Sequence, residues 1–401
     1  MNNVPFDWKI NKLGNVADVF DGTHQTPEYV DHGIKFISAE DISDPSASTK
    51  YITHQAFENN FKIRPNKNDI FMTRIGRIGI PFLLKTDEDF AYYVTLALLK
   101  LKRDVVPEYL FYFIQSNYFQ FELWKRTLHV AFPEKINKDE IGKCLVLYPD
   151  NITEQKKIAE ILGTWDRAIE ALTGLIAEKK ELKRGLMQRL LSGTQRLPGF
   201  TKPWQNKKIG DITHIATAVS KSQYIKETGP YLIVDMGAVS NEATLIAKKQ
   251  TDYEGDFLIR DDLIMPKDDI GGGNIIGKTV VIDYNNKYIL GDHVFKIRVT
   301  SVECAKFISN LINSFGVNKY MRRVSTGSAQ LGLAKRDVEK CVLFVPTELA
   351  EQKAIADVLS KADSEIDLLN QQLELLKEQK RGLMQKLLTG EIRVKVDAAT
   401  C

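Results

Sequence analysis

An internal repeat constrains this chain more than any other feature. Glu154 to Gly193 aligns with Glu351 to Gly390 at a constant offset of 197, without a gap, and 20 of the 40 positions are identical. Both copies open on Glu-Gln-Lys, and both close on Lys-Arg-Gly-Leu-Met-Gln, at Lys183 and Lys380. A period of this length exceeds any solenoid unit, so it implies duplication of a whole domain together with its connector.

Within each copy the apolar residues step by four and three. Ile158, Leu162, Trp165, Ile169, Leu172 and Ile176 form one stripe; Ile355, Leu359, Ala362, Ile366, Leu369, Leu373 and Leu376 form the other. This is the heptad seam of a coiled coil. Gly193 and Gly390 stand where such helices stop. About 40 residues at ~1.5 Å each give a rod of roughly 60 Å. Each stripe needs a partner, and the nearest match is the other copy. The expectation is therefore two antiparallel coiled-coil helices, a mixed α+β head at each end and an internal pseudo-twofold. The predicted domains are 1–150 and 196–346 as heads, 151–195 and 347–392 as helical spacers, and 393–401 as a tail.

The repeat continues into the heads. Trp8, Leu13 and Gly14 answer Trp204, Ile209 and Gly210, and Cys144 and Pro149 answer Cys341 and Pro346. Strands are expected at Ile34–Ser38, Asp69–Thr73, Tyr92–Lys102, Tyr231–Val234, Asp262–Met265, Thr279–Asp283 and Val294–Val299. Helices are expected at Pro107–Leu123 and Val302–Tyr320. The aromatic residues of Tyr109 to Phe121 fall at helical spacing and read as core.

A hydrophobic content of 43% over 401 residues suits two or three domains with real cores. No apolar run reaches the ~20 residues of a membrane span, and no signal-peptide pattern follows Met1, so no membrane partner and a cytoplasmic location are expected. The cysteines form no close metal-type pairs; Cys144 and Cys341 read as buried thiols. A net charge of +3 permits nucleic acid as a partner without demanding it.

Two motifs invite a catalytic reading and do not sustain it. Gly272 to Thr279 fits the phosphate-loop pattern, yet such a loop needs a helix directly behind it, and Thr279 to Ile282 reads as a strand. Pro149-Asp150 before Glu154-Gln-Lys156 mimics a nuclease centre, but its second copy lacks the aspartate. No dinucleotide fingerprint and no adenine-methylation motif is present, so no catalytic residue and no metal site are expected.

Polar and basic loops remain, of the residue types that reach phosphates and base edges. In the first head these are Thr23, His24, Gln25, Arg74, Arg77, Lys125 and Arg126. In the second they are Lys221, Ser222, Gln223, Lys267, Lys278, Arg322, Arg323, Ser325, Thr326, Ser328 and Gln330. Each alone reads more readily as a solvated surface residue. Their recurrence at matching places in both heads makes the set a DNA-binding candidate.

The duplicated head and helix, with Gly327-Ser-Ala-Gln330, Phe344-Val-Pro346 and Glu351-Gln-Lys-Ala-Ile355, resembles the specificity subunit of a type I restriction-modification system. The first half departs from that pattern, with His129-Val-Ala-Phe-Pro133 in place of Thr326-Gly-Ser-Ala-Gln330. The resemblance implies a non-catalytic subunit whose heads each read half of a split, asymmetric site in double-stranded DNA. It also implies two adenine-N6 methyltransferase subunits and two restriction subunits as partners, with S-adenosylmethionine, ATP and Mg2+ used by those partners. The competing expectations are a coiled-coil adaptor without DNA specificity and a P-loop NTPase.

Overall fold

The computed structural model describes residues 4–395 apart from 103 and 329. Of the expected tail, residues 396–401 lie outside the described residues, as does Cys401. The chain divides into two compact units, one comprising residues up to 173 together with those from 371 onward, the other comprising residues 174–370.

In the first unit an antiparallel pair, Trp8–Lys12 with Leu145–Pro149, joins the two ends of the head. A four-stranded antiparallel sheet follows in the order Ala17–Asp21, Leu96–Leu101, Ile70–Thr73, Pro81–Leu83. A three-stranded sheet runs Tyr51–Ile52, Ile34–Ile37, Phe90–Tyr92, its last pair parallel. The strand expected over Tyr92–Lys102 is two strands, because the chain turns at Tyr93 to Thr95 and changes sheet. The helix expected over Pro107–Leu123 is likewise two, Pro107–Ile114 and Asn117–Trp124. Ser116 breaks it: its hydroxyl accepts the Phe119 N–H and caps the second helix.

The second unit repeats this order. Trp204–Lys208 pairs with Val342–Pro346, the four-stranded sheet runs Thr213–Ala216, Val294–Val299, Leu263–Pro266, Val280–Val281, and the three-stranded sheet runs Lys249–Thr251, Tyr231–Val234, Tyr288–Leu290. The helix expected over Val302–Tyr320 is Ala305–Ile312 and Phe315–Val324. An extra two-stranded pair joins Asp268–Asp269 to Leu331–Gly332.

The long helices are Ile152–Leu191 and Leu349–Thr389. Every residue of the predicted stripes is buried or half-buried. In the first unit Asp166 pairs with Lys380 at 2.5 Å. In the second, Lys179 meets Glu365 at 2.6 Å and Lys183 meets Asp363, so the two segments run in opposite directions there. Ile158 and Leu162 join Met384, Leu387 and Leu388 in the core of the first unit, while Leu190, Leu191, Ile355 and Leu359 enter that of the second. Each such side chain contributes roughly 1.5–3 kcal/mol. The helix ends are thus integral parts of the heads.

The Glu-Gln that opens each repeat is structural. Gln155 accepts the Val106 N–H at 2.7 Å and donates to the Asp104 and Pro149 carbonyls; Gln352 accepts from Cys304 and donates to Pro346. Glu154 and Glu351 are buried carboxylates, each gripped by an arginine that follows the end of a long helix. Arg393 donates to both Glu154 oxygens at 2.6 and 2.7 Å, and Arg196 does the same to Glu351 at 2.7 and 2.6 Å. These two arginines are themselves 197 apart in sequence, so the repeat includes the clasp. Bidentate geometry of this kind gives a buried carboxylate both a charge partner and two hydrogen bonds.

Candidate nucleic-acid interface

Three loops converge at one edge of the first head. In the first unit Thr23 bridges to Tyr93, Gly76 donates its N–H to the Glu134 carbonyl, and Ile75 and Leu128 both bridge to Lys135. A cleft of about 350 Å³ is lined by Thr26, Ile75, Gly76, Tyr93, Thr95 and Pro133 among others, so it touches all three loops. His24, Gln25 and Arg77 are exposed at these loops and Thr23 is half-buried.

Arg74 leaves the candidate set. Its side chain is buried, donating to the Ile136 carbonyl at 3.0 Å and the Val94 carbonyl at 3.2 Å, with an ion pair to Asp21 at 3.0 Å. It ties the second loop to the third instead of facing outward. The contact with Asp21 is ionic more than a directed hydrogen bond, since Asp21 Oδ1 lacks a well-aligned donor. Lys125 and Arg126 both bind the buried Glu122, Arg126 at 2.8 Å. Burial raises the Glu122 carboxyl, but the hydrogen bonds from Lys125 and the Leu145 N–H outweigh it and hold the group below its ordinary value. These two cations are therefore already engaged.

In the second unit Lys267, Lys278, Arg322 and the Ser325–Gln330 loop come together. Lys267 sits at the end of Leu263–Pro266, where its N–H donates to the His293 carbonyl and its own carbonyl accepts from Leu333. Gly273 packs close to Leu331 and Arg322. Burial first, and the nearby Arg322 charge second, hold the Lys278 ammonium below the ordinary lysine value, with Glu242 acting the other way. Arg322, Arg323, Thr326, Ser328 and Gln330 are exposed, and Ser325, half-buried, donates its hydroxyl to the Arg322 carbonyl. Gly327 has φ of +113°, and a Cβ there would meet the Gln330 carbonyl at 2.0 Å, so only glycine permits this tight loop.

Lys221 also leaves the set. It is buried, paired with Asp256 at 2.7 Å and placed over the Tyr253 ring, a fixture of the fold. Ser222 and Gln223 beside it are exposed.

The glycine-rich stretch Gly272 to Thr279 opens onto the strand Val280–Val281, not a helix. Thr279 is buried, its hydroxyl 3.0 Å from the Ser309 hydroxyl and its N–H donating to Asn313. A phosphate would have neither helix N-terminus nor free hydroxyl to meet. Cys144 and Cys341 are buried free thiols pushed up to about 12 and about 11 by burial, hence inert. Among the described residues no helix is long and apolar enough to cross a membrane, and no group of three His, Cys, Asp or Glu could hold a metal.

Two duplicated α+β heads, each including the ends of two long helices, define a two-domain internal-repeat protein in architecture. The type I restriction modification DNA specificity domain model matches residues 5–181 and again 201–378. The chain therefore belongs to that family, as a specificity subunit with two specificity domains. It is 25% identical to the putative type I restriction enzyme MjaX specificity subunit of Methanocaldococcus jannaschii, over 98% of this chain and 96% of that one. It is 24% identical to the MjaVIII specificity subunit of the same organism, over 98% and 94%. The fold is shared with the S subunit of a type I restriction-modification system from M. genitalium, at TM-score 0.62 and 15% identity over 96% of this chain and 97% of that one. A chain solved for the complex assembly and conformational transition of the type I R-M system matches at TM-score 0.62 and 14% identity, over 98% and 100%.

The Arg-Glu clasps escaped the sequence reading, although Arg196 and Arg393 fall at the repeat offset and could have been found by extending the alignment three residues beyond Gly193 and Gly390. The engagement of Arg74 by distant carbonyls had no sequence signal.

Proposed function

We propose that the chain reads a split, asymmetric site in double-stranded DNA, one half-site per head, through the loops around His24, Gln25 and Arg77 in one unit and Lys267, Lys278, Arg322 and Thr326 to Gln330 in the other. The single observation that carries this is a recognition-family match to both halves of a chain whose frame is repeated while its edge loops differ. Different loops on a common frame call for different half-sites.

The long helices act as an antiparallel coiled-coil spacer with a pseudo-twofold between the halves, and they dock two adenine-N6 methyltransferase subunits and two restriction subunits. The chain itself is non-catalytic; S-adenosylmethionine, ATP and Mg2+ serve those partners, in the cytoplasm. A spacer of this kind is a ruler, with half-sites near one turn of duplex apart, ~34 to 36 Å. Inserting four residues near Leu175 tests it. The preferred spacing should change while both half-sites stay the same, and an unchanged spacing would refute the ruler.

A further inference from the structure

The third loop of the first head carries two large apolar side chains with nothing to pack against. Val130 and Phe132 are 98% and 105% exposed, beside Leu128 at 41%. The loop holding them is fixed. Leu128 N–H donates to the Lys135 carbonyl at 2.8 Å, Ala131 N–H to the Leu128 carbonyl, and Gly76 N–H to the Glu134 carbonyl. The His129 ring spans Trp124 O and Glu134 Oε1, both at 3.0 Å, and leans on the Trp124 ring at 5.3 Å. A rigid loop that lifts apolar tips into water is a shape built to enter something.

Its place says what. Pro133, next to Phe132, lines the same cleft as Thr26, Ile75 and Gly76, so the tips stand beside the other two candidate loops. Arg77 and Lys135 are exposed around them, and Glu134 is already engaged by His129. At the matching positions of the second head the sequence has Gly327 and Ala329, neither of them large enough to serve as such a tip. Cations around an apolar point suit a duplex entered from a groove, where phosphates hold the protein and a side chain unstacks a base step.

We propose that Phe132, with Val130, is a wedge that inserts at a base step in the half-site read by the first head and partly unstacks it, a device that the sequence of the matching loop of the second head lacks. This rests on the DNA-reading function above. A pyrimidine–purine step, the easiest to open, is the expected point of entry.

The test uses the full chain, with its methylation subunits where they co-purify, and duplexes carrying its methylation-defined site. 2-Aminopurine is placed in turn through both half-sites, away from the methylated adenines. Binding should raise the fluorescence at a step in one half-site only, in the manner of unstacking. The rise should be lost in Val130→Ser/Phe132→Ser and kept in Phe132→Leu, which retains an apolar wedge. Absence of any rise in the wild type, or its survival in the double serine variant, would overturn the wedge. Loss of a co-purifying subunit in that variant, with the fluorescence intact, would overturn it in favour of a protein-docking loop. Failure of the wild type to prefer its site over an unrelated duplex would instead overturn the DNA-reading function on which the wedge rests.

Discussion

The two heads share a frame and part company at the edge. At one pair of matching positions the first head has Glu122, buried and bound to Lys125 and Arg126, while the second has Lys319 beside Arg322 and Arg323. At another, Arg74 is buried and spent on carbonyls and Asp21, while Lys267 is half-buried and its ammonium pairs with no acid among the described residues. The first head therefore engages Arg74, Lys125 and Arg126 internally and raises an apolar tip beside the exposed Arg77 and Lys135; the second leaves Lys267, Arg322 and Arg323, which match the first three, without acid partners among the described residues around a polar loop. The difference shows that a duplicated scaffold holds constant what closes the core and varies the loops at its edge.

The clasps supply the first way to break that comparison. Arg393→Ala leaves Glu154 buried without a charge partner, and the Trp8 indole N–H, which makes no hydrogen bond among the described residues, donates none to it. The expected cost to the first unit is about 3–5 kcal/mol. Arg196→Ala should cost the second unit less, because Glu351 keeps the Trp204 indole N–H at 3.2 Å. Denaturant titration with limited proteolysis of each unit would measure both; equal losses would show that the indole bond is idle.

A second contrast sets Arg74 against Lys267. Arg74→Ala should lower the stability of the first unit by about 3 kcal/mol, since it orphans buried carbonyls and Asp21. Lys267→Ala should leave stability unchanged and weaken DNA binding, lowering the slope of log affinity against log salt by about 1. Intact stability in the Arg74 variant would return that residue to the interface. A third, smaller effect is local: Arg77→Ala should impair recognition of one half-site by roughly 1–3 kcal/mol if it touches a base, and binding to base-substituted sites would read it. Uniform loss on all DNA would make it a phosphate contact.

The smallest effect concerns pH. Hydrogen bonding to Arg393 lowers the Asp7 carboxyl from its ordinary 3.8. A carboxylate lowered on folding stabilises fully above its unfolded value and loses that contribution as pH falls through the folded value. The first unit should therefore shed a small stability increment below about 3.8, and Arg393→Ala should remove this acid dependence. An unchanged acid limb would show that Asp7 contributes nothing.

Much of this was legible in the sequence because repeats and heptads are local patterns. The apolar stripe from Ile158 to Ile176 needed only spacing to be read, and the strand behind Gly272 to Thr279 needed only Val280 and Val281. The site was harder. Whether a cation is free depends on residues far away in sequence, as Arg74 depends on Ile136 and Val94 and Lys221 on Asp256. The helix break at Ser116 likewise turned on one hydroxyl, where aromatic periodicity ran straight through.

The central claim is that two different heads read two different half-sites. Single-molecule sequencing of adenine methylation in cells carrying this chain with its methylation subunit tests it most directly, repeated after exchanging residues 326–330 for those of a relative. The account predicts one bipartite, asymmetric motif that disappears without this chain, and a change confined to one half after the exchange. A motif that survives deletion of the chain, or one whose halves both change after the exchange, would contradict it.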